Sequence, residues 1–311
     1  MTIDRDAIVK AAQRIAPFVR RTPVVEVAVP GVGQPVTLKL ELLQHSGSFK
    51  ARGAFNNLVG VDPSGPGVAA ASGGNHGAAV AYAAQQLGHR ARIFVPEISS
   101  PAKVARIASY GAEVVQRGPT YHEALALCEA HIANTGAISV HAYNSEATLQ
   151  GQGTLARELE DQAPGLDTLL VAVGGGGLIG GIAAWYQSQV KVVAVEPITS
   201  NALHAALAAG KPVEVVPSGI AADSLGAKFA GDLMFPIARD HVDHVALVRD
   251  EDIAEAQRHL WQHLQLVSEP GGATAFAALL SGAYVPAADE RVGVVVCGAN
   301  TTMDAFGRLF V

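Results

Sequence analysis

Short aliphatic runs alternate with helix-like stretches along this chain. Residues 4–18 place Ile8, Ala11, Ala12 and Ile15 at the spacing of one helix face, and Pro17 closes the pattern. VTLKLEL (36–42) alternates apolar and polar positions, as a strand does when one face meets the core and the other meets water. GVAAAS (67–72), ARIFVP (91–96) and AEVVQ (112–116) follow, each leading into a helical stretch. TLLVAV (168–173), KVVAVEP (191–197), HVALV (244–248) and RVGVVVC (291–297) repeat the arrangement later in the chain. Such alternation predicts an α/β fold of open, twisted, mostly parallel sheets with helices on both faces. The early and late runs are separated by residues 141–153, which predicts two lobes.

Composition narrows the function. A chain of 311 residues fits two domains or one large α/β unit. With 49% hydrophobic and 16% charged residues it can bury a large core, which excludes a disordered chain. The net charge of −6 excludes nucleic-acid binding through a general basic field. Two cysteines, Cys128 and Cys297, can build neither a disulfide framework nor a cysteine-rich metal site. Cys128, on a helical stretch, reads as a small core residue. The opening MTIDRDAIVK lacks the apolar run of a signal peptide, so the expected location is the cytoplasm. Residues 168–190 carry no charge, but six glycines and the run Gln187, Ser188, Gln189 make them a strand, a glycine loop and a helix start, not a membrane span.

Glycine supplies 33 residues, and two glycine clusters stand where strands turn into helices. Ser72-Gly73-Gly74-Asn75-His76-Gly77 offers free N–H groups at a helix start, suited to an anion such as a carboxylate; a plain helix cap by Ser72 or Asn75 is the bland alternative. Gly174-Gly175-Gly176-Gly177 follows TLLVAV, and a run of four glycines there suits close approach of backbone N–H groups to a phosphate. A rival template fits the same segment. Gly175, Gly177 and Gly180 match G-x-G-x-x-G, with Glu196 about 20 residues on, as an NAD-dependent oxidoreductase would require.

Ser48-Phe49-Lys50-Ala51-Arg52-Gly53-Ala54 separates the two templates. A lysine just before a helix, flanked by small residues, can be partly desolvated, which favours the neutral amine of Schiff-base chemistry. The dinucleotide template gives this segment no task. SFKARGA resembles the lysine motif of pyridoxal-phosphate enzymes of fold type II, the serine/threonine dehydratase and serine racemase family. SGGNHG resembles that family's asparagine loop and GGGGLIGG its phosphate loop, and RTPV (21–24), GQGT (151–154), VEP (195–197), EPGGA (269–273) and VVVCGAN (294–300) follow in the same order.

The resemblance covers the whole chain and implies a tryptophan synthase β-like fold. Residues 1–67 with 145–311 would form a large cofactor-binding domain, and 68–144 a small mobile domain. Lys50 is implied to carry pyridoxal 5′-phosphate and to act as the catalytic base, and Asn75 to bond the cofactor's 3′-oxygen. Ser72, Gly73, Gly74, Asn75 and His76 would hold the substrate. The N–H groups of Gly174, Gly175, Gly176, Gly177 and Leu178 would bind the phosphate. Glu269 would lie near the ring, and Cys297 would face the pyridine nitrogen. The implied activity is β-elimination from L-threonine or L-serine to a 2-keto acid and ammonia, with 3-hydroxyaspartate dehydratase as an alternative. A small-molecule amino-acid substrate and a homodimer are expected, with neither nucleic acid nor membrane as partner.

Two departures accompany the match. Family racemases place a serine opposite the lysine where this chain has Gly73, which speaks against racemisation. Relatives with a divalent cation use the glutamate of VEP and an aspartate six residues later; here Glu196 is followed by Ala202, one ligand short, so no metal is expected. His241 with His244 and His259 with His263 have ligand-like spacings but lack a supporting motif, and read as exposed or capping residues.

Overall fold

The computed structural model describes residues 3–310. Ten strands form two sheets. The large one contains β1 (Val24–Val27), β2 (Val36–Lys39), β7 (Thr168–Ala172), β8 (Lys191–Pro197), β9 (Val242–Val248) and β10 (Val292–Val295), in the order β1-β2-β10-β7-β8-β9. Only β1 runs antiparallel, against β2; the other pairs are parallel. The small sheet is wholly parallel, in the order β5-β4-β3-β6, from β3 (Val68–Ala71), β4 (Ala91–Val95), β5 (Glu113–Gln116) and β6 (Ile138–Ser139). The α/β class expected from the alternation is what forms. The pattern did not mark β1 and β6, two short strands at sheet edges.

Helices join the strands: α1 (Arg5–Ile15), α2 (Lys50–Leu58), α3 (Asn75–Leu87), α4 (Pro101–Ser109), α5 (Tyr121–Thr135), α6 (Glu146–Gln162) and α7 (Gly177–Tyr186). After β8 come α8 (Ala202–Ala209), α9 (Ala222–Leu225) and α10 (Met234–His241), and then α11 (Asp250–Leu264), α12 (Pro270–Leu280) and α13 (Met303–Gly307). Each sheet has its own core. Leu38, Leu170, Val193 and Val294 are fully buried in the large one, and Ile93, Val95 and Phe55 in the small one. Cys128 lies buried beside the small sheet. The charge-free residues 168–190 resolve into β7, a turn and α7, and no helix among the described residues is long and apolar enough to cross a membrane.

One reading of the pattern is corrected. The polar positions of VTLKLEL do not face water: Thr37, Lys39 and Glu41 are all buried. Helix α6 covers that face with a carboxylate of its own. Arg52 donates to Glu41 through Nε (2.5 Å) and Nη2 (3.0 Å) and to Glu158 (3.0 Å). Lys39 pairs with Glu158 and donates to Thr22 O and Gln162 Oε1, each at 2.7 Å. Two cations and two carboxylates cancel, so the desolvation cost is offset by paired hydrogen bonds. The network ties α2, with Lys50 at its first turn, to β2 and α6.

Candidate active site

Strand order decides where the site falls. In the large sheet, β7 leads through α7 to β8 on one side, while β10 lies on the other. In the small sheet, β3 leads to β4 on one side and has β6 on the other. Each is a topological switch point, and the crevice beyond the carboxyl ends of such strands is where open α/β sheets bind ligands. The glycine turn 174–177 follows β7 and Cys297 follows β10. The 72–76 turn follows β3, and His141 to Tyr143 follow β6. Hydrogen bonds join the two crevices, as between Asn75 after β3 and Glu269 and Asn300 beside β10.

Lys50 stands between them. The chain reaches it through a tight turn, with Ser46 and Gly47 in the left-handed region at φ 57° and 75°. Ser48 bridges Gly298, and Phe49 N–H donates to Cys297 O at 3.2 Å. The base of α2 is thus clipped to the end of β10. Lys50 Nζ donates to Ala142 O at 2.7 Å. Removal from water lowers the ammonium to about 8, against the opposing pull of Cys297 and Glu269.

The glycine turn is crowded from outside. Gly176 adopts φ 88° as N-cap of α7. A side chain at Gly175 would strike the Tyr143 ring, and one at Gly176 would strike Met234. A Cβ at Gly177 would lie 2.9 Å from Tyr143 Cα, and one at Gly174 3.0 Å from Leu225 Cα. Packing alone therefore demands glycine here, while the N–H groups that α7 leaves unpaired at its start are what suit an anion. Gly174 to Leu178 line one cavity together with Lys50, Asn75, Glu269 and Cys297.

A polar chain closes the other wall. Asn75 Nδ2 donates to Glu269 Oε1 at 2.5 Å, and Asn300 Nδ2 donates to Asn75 Oδ1 at 2.6 Å and Ser46 O at 2.8 Å. Burial lifts Glu269 to about 7 against the hydrogen bond from Asn75 and the charges of Lys103, Arg106 and Lys50. Cys297 is buried, its Sγ donates to Gly271 O at 3.4 Å, and burial pushes the thiol up, so it stays protonated.

The 72–76 turn differs in detail from its expected roles. His76 is buried, with Nε2 2.8 Å from Val140 O, and burial with the Lys50 charge pulls the ring down to about 3. The neutral ring donates to that carbonyl, which leaves the backbone N–H for a ligand. Ser72 Oγ accepts from Gly74 N at 3.2 Å. Gly73 faces Ser99, whose side chain fills the space beside it.

Glu196, the shared residue of the dinucleotide and cation templates, has another task. It is fully buried, and its oxygens accept from Leu203 N (2.9 Å) and His204 N (2.8 Å), at the start of α8. Burial raises it to about 7 despite those bonds. The paired histidines also have local partners: His241 Nδ1 meets Ser188 Oγ at 3.1 Å, His244 Nδ1 meets Asp243, and the His259 ring packs tilted against His263. No group of three or more metal-ligating side chains occurs among the described residues.

Sequence reasoning assigned a role to nine of the residues that line the cavity and gave none to Phe49, Tyr143, Ala172, Ser224, Leu225 and Gly271. Tyr143 follows a two-residue strand that no alternation could signal. Asn300 lay inside a quoted motif, but its bond to Asn75 spans the lobes.

A phosphorylated aldehyde fits this donor set. Unpaired N–H groups at α7 suit its phosphate, Lys50 its carbonyl carbon, Asn75 an oxygen on the ring, and the neutral Cys297 thiol a ring nitrogen. The comparisons agree. The chain matches the family described as pyridoxal-phosphate dependent enzyme over residues 15–298. It is 39% identical to a phenylserine dehydratase of Ralstonia pickettii, covering 98% of this chain and 95% of that protein. It is 34% identical to an L-threonine ammonia-lyase of Thermotoga maritima, covering 97% and 77%. The structure of maize serine racemase superimposes with a TM-score of 0.93 at 35% identity, over 98% of this chain and 96% of that one. The chain thus belongs to the pyridoxal-phosphate-dependent enzymes of fold type II.

Proposed function

We propose that the chain is a deaminating dehydratase that converts L-threonine and L-serine to a 2-keto acid and ammonia by β-elimination. The observation that carries this reading is Lys50, desolvated and lowered to about 8, in one cavity with an unpaired helix N-terminus and a protonated thiol. Lys50 would hold the cofactor covalently, the N–H groups of Gly174 to Leu178 its phosphate, and Asn75 its ring oxygen. The bound cofactor supplies an electron sink for the pair left when the substrate Cα loses its proton.

The chain's own groups supply position and proton transfer. A Lys50 amine that titrates near 8 is partly neutral at physiological pH and could take the Cα proton of a substrate held in the cavity. The 72–76 turn holds the α-carboxylate by backbone N–H groups. Cys297, a neutral thiol, would face the ring nitrogen and is too weak an acid to protonate it, which would favour loss of the β-hydroxyl over longer-lived carbanion chemistry. Gly73 offers no side chain for a proton on the opposite face, which supports elimination over racemisation.

A second reading has its own support. Phe49 and Tyr143 line the cavity, and a lining without a cation besides Lys50 suits an aryl β-substituent better than a second carboxylate. The 39% identical relative is a phenylserine dehydratase. Release of 2-keto acid from L-serine, L-threonine, phenylserine and 3-hydroxyaspartate, with chiral analysis of recovered serine, separates these readings. Keto acid with little D-serine is expected; abundant D-serine overturns the role given to Gly73. The proposal also includes a cytoplasmic homodimer, which sedimentation of the purified protein measures.

A further inference from the structure

Gly73 leaves a gap in the turn that would hold the substrate carboxylate, and a neighbouring loop fills it. A Cβ built at Gly73 would lie 3.0 Å from Ser99 Cβ and would collide with Ser99 Oγ; the other nearby atom is Pro96 Cδ at 3.8 Å. The Ser99 hydroxyl therefore stands where a side chain on residue 73 would begin.

The loop that carries it is held firmly. Strand β4 pairs with β3 up to Ala71↔Phe94, so the turns leaving the two strands start side by side. Ser99 N–H donates to Pro96 O at 3.0 Å, and Gln116 Nε2 donates to Ser99 O at 3.3 Å. Ser99 is half-buried, and its hydroxyl has no hydrogen-bond partner among the described residues. Filling the gap needs only a carbon. A free hydroxyl next to Gly73, two residues before the start of the 13-residue helix α3, can add a donor to the N–H groups that the helix leaves unpaired there.

We propose that Ser99 is a substrate-binding residue whose hydroxyl donates to the α-carboxylate held at the 72–76 turn, from the position a residue-73 side chain would otherwise take. The inference rests on the reading of that turn given under the proposed function. It makes Gly73 and Ser99 one unit: glycine on one strand-to-helix turn and serine on the next.

The test is a binding measurement on the holoenzyme. L-Alanine has the amine and carboxylate of a substrate but no leaving group, and its binding is followed by the change in the cofactor's visible absorption. Ethylamine, which lacks the carboxylate, is the control. Ser99→Ala should weaken L-alanine about tenfold or more, leave ethylamine within about twofold, and leave the melting temperature unchanged. Gly73→Ser alone should weaken L-alanine through the collision, and Gly73→Ser with Ser99→Gly should recover most of the loss. Equal L-alanine affinity in wild type and Ser99→Ala overturns the proposal, as does equal weakening of L-alanine and ethylamine. If Ser99→Ala abolishes D-serine formation while L-alanine binding is intact, the hydroxyl serves Cα and the carboxylate role is wrong. Wild-type protein that shows no cofactor band fails the proposed function itself, which distinguishes the two failures.

Discussion

The turns after β7 and β3 occupy equivalent places, each at a switch point and each opening a helix, yet they are built in opposite ways. The 174–177 turn is bare backbone, packed from outside by Tyr143, Met234 and Leu225. The 72–76 turn uses side chains: Asn75 bonds Glu269, His76 bonds Val140 O, and Ser72 accepts from Gly74 N. A bare turn presents N–H groups at one fixed spacing, which suits a phosphate common to every turnover. A turn with side chains links its ligand to both lobes, which suits a substrate that comes and goes. The difference teaches that one local motif, strand–glycine–helix, takes its specificity from what packs behind it.

The largest effect expected is at the lysine between the turns. Lys50→Ala should reduce keto-acid production by more than about a thousandfold, with the fold intact by circular dichroism. The variant should keep cofactor that the 174–177 turn anchors, seen as a fluorescent or absorbing ligand that survives gel filtration. Near-native turnover would sink the assignment.

Next comes the contrast between the turns themselves. Gly176→Val must strain a residue at φ 88° and displace Met234, so cofactor affinity should fall at least about tenfold and thermal stability with it. Asn75→Ala should instead retain the cofactor through its phosphate and shift its absorption maximum. If both variants lose cofactor to the same degree, the division of labour between the turns is wrong.

The smallest effect concerns the carboxylates. Glu269 and Glu196 titrate near 7 in the fold, above the ordinary 4.5. The folded chain therefore holds protons that the unfolded chain has released. Their contribution to stability is complete below about pH 4.5 and is lost as pH rises to about 7. Glu269→Gln keeps an acceptor for Asn75 and removes the charge, so it should raise the melting temperature of cofactor-free protein by a few degrees at pH 8 and hardly at pH 4. A melting temperature unchanged at pH 8 would show that the carboxylate is not held in its neutral form by burial.

Much of this site is local in sequence and so was legible there. Lys50 in its small-residue setting, the four glycines after TLLVAV, and the turn at 72–76 are runs of a few residues whose backbone needs follow from their side chains. Glu196 was misleading for the same reason. Its spacing satisfied the dinucleotide template and half of a cation template, and only the fold reveals that its oxygens accept from the first N–H groups of α8. The dinucleotide template also fitted the local pattern of Gly175, Gly177 and Gly180, whereas the partners of that turn, Lys50 and Cys297, lie more than a hundred residues away on either side.

Local pattern along the chain marked the α/β alternation, most of the strands and the glycine turns after β3 and β7, because periodicity and turn chemistry act between near neighbours, whereas Glu269 and Cys297 followed only from the family resemblance. Tertiary structure decided strand order, which sets β10 beside β7 and β6 beside β3 and so creates both crevices. It buried the polar face of β2, since the carboxylate that pairs with Lys39 comes from Glu158 on α6. It turned the His76 ring to Val140 O and brought Ser99 into the gap at Gly73. All of these depend on pairings between distant segments, whose free energy comes from burial and hydrogen bonds that exist only once the two sheets have packed.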